Sequence, residues 1–157
     1  MKKRLVFSVL VSLSLAATGA VAERRGAAAK QVILTPDKIE WKQGPDVLPN
    51  TQMAVLEGDP KRQGFFVMRI KLPAGTKIAP HLHEKMERVT VISGTINLAM
   101  GTTQDNPVVL PAGSYFALKP KTVHNAWVKE ETVLQIATQG PWTLKLQKQG
   151  QKKAGEQ

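Results

Sequence analysis

The sequence predicts an all-β fold, built as an antiparallel barrel or a double-sheet jelly roll. Short runs of apolar and β-branched residues alternate with turns rich in glycine and proline, of which the chain has 12 and 10. No stretch has the pattern of a convincing amphipathic helix. The His-Leu-His segment at His81 and His83 also favours a strand, because side chains two residues apart project from the same face of a strand.

The predicted strands follow one another through the middle of the chain. They cover residues 52–57, 64–72, 78–82, 87–92, 95–100, 108–110, 114–118, 124–128 and 132–138, with shorter ones at 39–41 and 142–146. Pro-Ala-Gly triplets at 73–75 and 111–113 and the Gly140–Pro141 pair separate some of them. Ser93–Gly94 has the composition of a hairpin turn, so we expect strand 95–100 to pair back on strand 87–92.

Residues 1–22 have the features of a signal peptide. A basic start precedes an apolar core that is too short for a stable membrane anchor, and Ala20-Val21-Ala22 is a small-x-small cleavage sequence. The mature chain is therefore expected to begin at Glu23 and to be exported, to the periplasm of a Gram-negative cell and otherwise by secretion. The alternative, an uncleaved membrane helix, is disfavoured by the cleavage sequence.

The exported chain divides into three predicted parts. Residues 23–50 are expected to form an N-terminal leader with short strands. Residues 51–146 are expected to form the barrel, a length that suits one domain with a real core. Residues 147–157 are polar and basic, and they are predicted to be a disordered tail.

Charge and cysteine usage exclude several kinds of function. The formal net charge is +10, and loss of Lys2, Lys3 and Arg4 with the signal peptide would lower it to +7. This balance favours anionic small molecules as ligands, but the charges are scattered and are not interleaved with aromatic residues, so nucleic acid is not an expected partner. The chain has no cysteine, which excludes disulfides, thiol catalysis and thiolate metal sites.

The three histidines of the chain, His81, His83 and His124, point to a metal site together with Glu87. His81 and His83 can aim both imidazoles at one point if they lie on a strand. Glu87 opens the next strand, where its carboxylate can lean back towards them. Imidazole nitrogens and one carboxylate suit a divalent metal of the Mn-to-Zn series. The alternative is that each histidine is simply a buried core residue.

The segment from Gly75 to Gly94 resembles the first motif of the cupin superfamily, G-x5-HxH-x3-E-x6-G, at every fixed position. The resemblance extends over residues 53–138. It implies the cupin fold, a double-stranded β-helix or jelly-roll barrel. It also implies a divalent transition metal as cofactor (Mn, Fe, Zn, Ni or Cu) with four ligands, His81, His83, Glu87 and His124.

The second cupin motif, G-x5-PxG-x2-H-x3-N, is matched less fully. Gly113 and His124 occupy their places, whereas Lys119 replaces the proline, Lys121 replaces the second glycine and Val128 replaces the asparagine. A glycine before the histidine usually serves a turn with positive φ, so the loop around Lys121 is where this chain departs most from the motif.

The resemblance implies a metal-dependent enzyme, such as a dioxygenase or a related enzyme that acts on a small organic acid or an aromatic compound. A second hypothesis is a non-catalytic module that binds or senses a small ligand, and a third is a purely structural barrel. Beyond Glu87, no acidic residue is placed to act as a general base. Edge strands in such a barrel could support a homodimer.

Several further residues are candidates for the wall of a substrate pocket. Arg69 lies among apolar residues of a predicted strand, and from there it could hold a carboxylate by paired hydrogen bonds. The other candidates are large apolar side chains or an amide on predicted strands. They are Phe65, Phe66, Met68, Phe116, Trp127, Gln135 and Ile136.

Overall fold

The computed structural model describes residues 31–147, which contain eleven strands and one short 3-10 turn at Pro36–Lys38. The strands are β1 (Lys42–Gln43), β2 (Gln52–Glu57), β3 (Gly64–Leu72), β4 (Lys77–Leu82), β5 (Glu87–Ser93), β6 (Thr95–Met100), β7 (Val108–Pro111), β8 (Tyr115–Leu118), β9 (His124–Val128), β10 (Thr132–Gly140) and β11 (Lys145–Leu146). The predicted signal peptide, residues 23–30 of the leader and residues 148–157 of the tail lie outside the described residues.

The strands form two antiparallel sheets. The larger sheet has the order β1-β2-β3-β10-β5-β8, and the smaller sheet has the order β11-β4-β9-β6-β7. Neighbours in a sheet are mostly distant in sequence, as in a jelly roll. This confirms the predicted all-β jelly-roll barrel. Within residues 31–147, the structure contains no helix with the length and apolar composition needed to cross a membrane.

The turn at Gly94 does not close a hairpin, so the predicted pairing of residues 87–92 with 95–100 is wrong. β5 pairs with β10 and β8 in the larger sheet, whereas β6 pairs with β9 and β7 in the smaller one. Gly94 has φ +73°, and a Cβ there would lie 2.4 Å from the carbonyl oxygen of Glu131. The tight, left-handed turn therefore carries the chain from one sheet to the other.

Alternation along the central strands builds the core. On β3, Phe66, Met68, Ile70 and Leu72 are buried and face the other sheet, while the residues between them are more exposed. Leu134 and Ile136 of β10 continue this apolar surface, because Leu134 is paired with Ile70 and Ile136 with Met68. Full burial of each such side chain stabilises the fold by about 1.5–3 kcal/mol.

The two terminal strands differ from their predicted positions. β1 is displaced from residues 39–41 to Lys42–Gln43, and Trp41 instead lies against Lys71, whose ammonium is 4.7 Å from the indole centroid. The strand predicted over 142–146 is reduced to Lys145–Leu146. Leu146 pairs with His81, so this short strand borders the strand that carries the first histidine.

Candidate metal centre

Four side chains meet at the end of the barrel where β4 ends and where β5 and β9 begin. His81 lies on β4 and His83 directly follows that strand, while Glu87 is the first residue of β5 and His124 the first of β9. β4 and β9 are paired with His81 opposite His124. All four side chains are buried, with exposed fractions of 3% for His81, 5% for His83, 7% for Glu87 and 3% for His124.

The outer nitrogen of each imidazole is held by a main-chain carbonyl. The Nδ1-to-oxygen distances are 2.8 Å from His81 to Ala79, 2.8 Å from His83 to Thr143, and 3.0 Å from His124 to Thr122. Because a carbonyl oxygen can only accept, each Nδ1 donates its N–H to that oxygen. In the neutral rings Nε2 then carries a lone pair, the form in which imidazole binds a metal.

The possible ligand atoms of the three histidines and of Glu87 lie close together. One ligand atom from each of the three histidines lies within 4.8 Å of those of the other two. Glu87 Oε1 is 3.5 Å from His83 Nε2, and Glu87 Oε2 is 3.1 Å from His124 Nε2. Oε2 is fully buried and has no hydrogen bond of good geometry. With Nδ1 of His124 already donating, Nε2 and Oε2 present lone pairs to each other, and a shared proton or metal cation satisfies both.

Two of the histidines are held in their uncharged form. Burial, reinforced by the neighbouring His124, lowers the pKa of His81 to about 4. Burial likewise lowers the pKa of His83 and outweighs the opposing charge of Glu87. Both rings are therefore neutral at pH 7 and can donate their lone pairs to a cation.

Glu87 and His124 behave as a coupled pair in the metal-free protein. Burial would raise the pKa of Glu87, but the contact with His124 and the proximity of the other two histidines outweigh it, so the pKa is lowered. Burial would lower the pKa of His124, but the contact with Glu87 outweighs it and raises that pKa. A metal bound between these groups would displace the proton that they share.

Trp142 supports the centre, a role that no pattern in the sequence indicated. Its indole stacks on His83, with ring centroids 4.0 Å apart and planes inclined by 14°. Phe66 packs edge-on against the same indole at 6.2 Å. The next residue, Thr143, supplies the carbonyl that accepts from His83 Nδ1. One short segment thus fixes both the plane and the tautomer of His83.

A cavity of about 300 Å³ extends from the centre into the barrel. Its walls are mainly apolar, with Met68, Ile70, Leu98, Leu134 and Ile136 among the lining side chains. All four predicted metal ligands also line it. An apolar cavity with a few convergent polar groups at one end is the usual form of a small-molecule site.

The predicted pocket residues divide into two groups. Phe116, Met68 and Ile136 line the cavity, whereas Phe66 is core and Phe65 is about half exposed.

Arg69, Gln135 and Trp127 do not line the cavity, contrary to the prediction. Each alternates with residues that do face inward, so its side chain lies on the outer face of its sheet. Arg69 Nε donates to Gln135 Oε1 at 3.1 Å. The two side chains satisfy each other there instead of binding a ligand.

The residues present fit a divalent transition metal. Three buried histidines could hold an ion, and the orphaned carboxylate oxygen of Glu87 offers the negative charge that a cation would neutralise. A set of imidazoles and one carboxylate matches ions of the Mn-to-Zn series and does not match calcium or magnesium, which prefer oxygen ligands.

The fold and the site together define a cupin-fold protein, as the motif resemblance implied. Similar solved structures include the polyketide cyclase RemF from Streptomyces resistomycificus, with 11% identity, 74% of this chain and 85% of that chain covered, and a TM-score of 0.64. An acetylacetone dioxygenase from Acinetobacter johnsonii has 17% identity, coverage of 76% and 80%, and a TM-score of 0.61. An RmlC-like cupin from Shewanella frigidimarina has 15% identity, coverage of 70% and 91%, and a TM-score of 0.56.

Identities this low establish the fold alone. A family model described as a domain of unknown function, DUF4437, matches residues 16–145, and the chain belongs to this family. A search of the curated proteins found no match.

Proposed function

We propose that this chain is an exported metal-binding cupin-fold protein that acts as a metal-dependent dioxygenase or related enzyme on a small organic acid or aromatic compound. His81, His83, Glu87 and His124 would hold the ion. When bound, a manganese, iron, nickel, copper or zinc ion would supply Lewis-acid or, for the redox-active ions, electron-transfer chemistry.

One arrangement carries the proposal. Each Nδ1 donates to a main-chain carbonyl, which directs the three Nε2 atoms, together with the Glu87 carboxylate, to one end of an apolar cavity. A histidine that serves only as core needs no such convergence. The main-chain carbonyls also fix the rings before a metal arrives, which reduces the entropy lost on binding.

The dioxygenase chemistry draws support from the setting of the site. The apolar cavity can exclude water while it admits a small organic molecule beside the centre. One of the similar structures is described as an acetylacetone dioxygenase, and another as a polyketide cyclase. We propose that this chain likewise acts on a small organic substrate that lies next to the bound ion.

Oxygen uptake tests this proposal. Protein loaded with iron(II) or manganese(II) is mixed with a panel of catechols, thiols, diketones and small keto acids. We expect uptake with at least one class, no uptake with His124→Ala, and unchanged uptake with Arg69→Ala, whose side chain lies outside the cavity. Metal-replete wild-type protein that consumes no oxygen across the panel would overturn the dioxygenase assignment.

A non-catalytic binding or sensing role is the second candidate, and one observation favours it. Apart from the four ligands, Lys61 is the only ionisable side chain that lines the cavity, so the described residues offer no separate carboxylate as general base. A small molecule that co-purifies with the metal-loaded protein and is returned unchanged would support this role. Detectable turnover of that molecule would exclude it.

Export is proposed from residues 1–22 alone, through their basic start, apolar core and cleavage sequence. Mass spectrometry of the protein recovered from the exported fraction is expected to find Glu23 at the N-terminus. An intact Met1 in the cytosolic fraction would contradict the proposal.

A further inference from the structure

Apart from the predicted metal ligands, one charged side chain lines the cavity, and it is positive. Lys61 is the only other charged side chain on its wall, and within residues 31–147 no carboxylate forms an ion pair with its ammonium. Lys61 belongs to the exposed turn between β2 and β3. A flexible cation at the mouth of an apolar cavity is free to meet an anionic group on a ligand.

Main-chain contacts bring this lysine to the metal end of the cavity. Trp142 N donates to the carbonyl oxygen of Pro60, the residue before Lys61, at 2.7 Å. Trp142 in turn stacks on His83 with a 4.0 Å centroid separation. The turn that carries Lys61 is therefore joined to the candidate metal centre through a single intervening residue.

The rest of the wall offers one polar side-chain group, the indole N–H of Trp142. The other lining residues, which include Val89, Ile96, Leu98, Phe116 and Leu144, are all apolar. A sugar or a dicarboxylate placed there would leave hydroxyl groups or a second charge without partners, at a cost of several kcal/mol (roughly 1–3 per neutral group). The wall therefore disfavours ligands that carry polar groups on the part that lies inside the cavity.

The volume limits the size of the ligand. A cavity of roughly 150 Å³ in a protein core is known to bind benzene. The cavity here has about 300 Å³. It therefore has room for a substituted ring or a short branched chain.

We infer that the ligand of this cavity is a small, otherwise apolar molecule with a single anionic oxygen head, held between the metal and Lys61 with its apolar body in the barrel. The head can be a carboxylate, a phenolate or an enolate. This inference rests on the proposed metal site. Three neutral imidazoles, one carboxylate and a divalent ion leave one positive charge, and Lys61 adds a second, so a monoanion reduces the charge of the loaded site.

Calorimetric titration of zinc-loaded protein tests the inference without any dependence on turnover. Phenylacetate and phenylacetamide have nearly the same shape and differ in charge. Oxalate and glucose are ligands that have no apolar part. Catechol and benzoylacetone test the phenolate and enolate heads. Lys61→Met removes the cation, and Arg62→Met is the matched control, because Arg62 belongs to the same turn but does not line the cavity.

We expect at least one of phenylacetate, catechol and benzoylacetone, the last two bound after loss of a proton, to bind at least about tenfold more tightly than phenylacetamide, oxalate and glucose. Lys61→Met should weaken that binding about tenfold, while Arg62→Met leaves it within about twofold. Equal affinity for phenylacetamide, tighter binding of oxalate or glucose, or no effect of Lys61→Met would overturn the inference.

Zinc content measured on the same samples separates the two claims. A zinc-loaded protein that fails to discriminate among these ligands refutes the ligand class and leaves the metal site standing. A protein that takes up no zinc refutes both.

Discussion

At the scale of single residues, the centre depends on hydrogen bonds made on the far side of each ring. The carbonyls of Ala79, Thr122 and Thr143 all accept from Nδ1. Two of these acceptors lie two residues before the histidine they hold, so the local backbone conformation supplies them. Thr143 is 60 residues from His83, and its position depends on the folded barrel.

Trp142 is expected to position His83. Trp142→Leu removes the stacked indole face, so the ring of His83 loses its fixed plane and metal affinity should fall about tenfold. Trp142→Phe retains an aromatic face and should recover most of that loss. Chelator competition for zinc measures the affinity. The control is Trp127→Leu, on the outer face of its sheet, and equal effects of the two leucine variants would contradict a positioning role.

His81 should make the metal-free protein sensitive to acid. Its pKa is about 4 in the folded protein and about 6.5 in the unfolded chain. As the pH falls from 6.5 towards 4, the unfolded state binds a proton that the folded state excludes, so stability is lost. Between about pH 7 and pH 4 the free energy of unfolding should fall by about 3 kcal/mol from this residue.

Urea unfolding in the presence of EDTA measures this loss. His81→Gln cannot take up the proton, so it should lack this part of the pH dependence while the contributions of other groups remain. Identical pH dependence in wild type and variant would show that His81 is not held neutral by the fold.

At the scale of elements, the loop before His124 shows how this chain replaces a motif glycine. Lys121 has φ +64°, the left-handed conformation that glycine adopts without strain. Its main-chain N donates to the carbonyl oxygen of His83 at 2.7 Å. The turn therefore keeps its shape and links two of the predicted metal ligands, although a lysine occupies the position.

Lys121→Gly is expected to stabilise the protein by about 0.5–1 kcal/mol, because relief of the left-handed strain exceeds the added entropy of the unfolded chain. The contact of Lys121 Nζ with Glu84, at 3.9 Å, is exposed and contributes little. Urea titration gives the difference. Lys119→Gly, two residues away and without a positive φ, should be neutral or destabilising, and greater stabilisation by Lys119→Gly would refute the strain.

Strand positions could be predicted from the sequence, and strand partners could not. The bounds of β2, β3, β6 and β9 match the predicted ones, because each is a local pattern of alternating or β-branched residues between turn residues. The partner of β5 is set by the closure of the whole barrel. A two-residue turn at Gly94 has the same local composition whether it closes a hairpin or crosses between sheets.

At the scale of the whole molecule, some residues of the site could be predicted from the sequence and others could not. His81, His83, Glu87 and His124 could be brought together from the sequence, because their residue types and their motif spacing indicate a ligand set. Trp142 could not, since it reaches the centre only through contacts between distant segments. The place of Lys61 on the cavity wall likewise depends on those contacts. The face of the sheet on which the Arg69 side chain lies could not be predicted either. A lone charged residue within a strand suits either face until the orientation of the strand in the sheet is known.

The barrel also explains why four side chains are enough to form a candidate metal site. Two sheets enclose an apolar interior, and the ligands come from the ends of three strands that are fixed by their neighbours. A cation bound there would hold β4, β5 and β9 together. Metal binding should therefore raise the temperature of unfolding in proportion to the logarithm of free metal concentration.

The most direct test is elemental analysis of the protein after reconstitution with manganese, iron or zinc and removal of loosely bound ions. Wild-type protein should retain about one equivalent of metal, and His124→Ala, which removes the ligand most distant in sequence, should retain less than about one tenth of an equivalent. Wild-type protein that retains less than about one tenth of an equivalent of each of these metals would contradict the central claim.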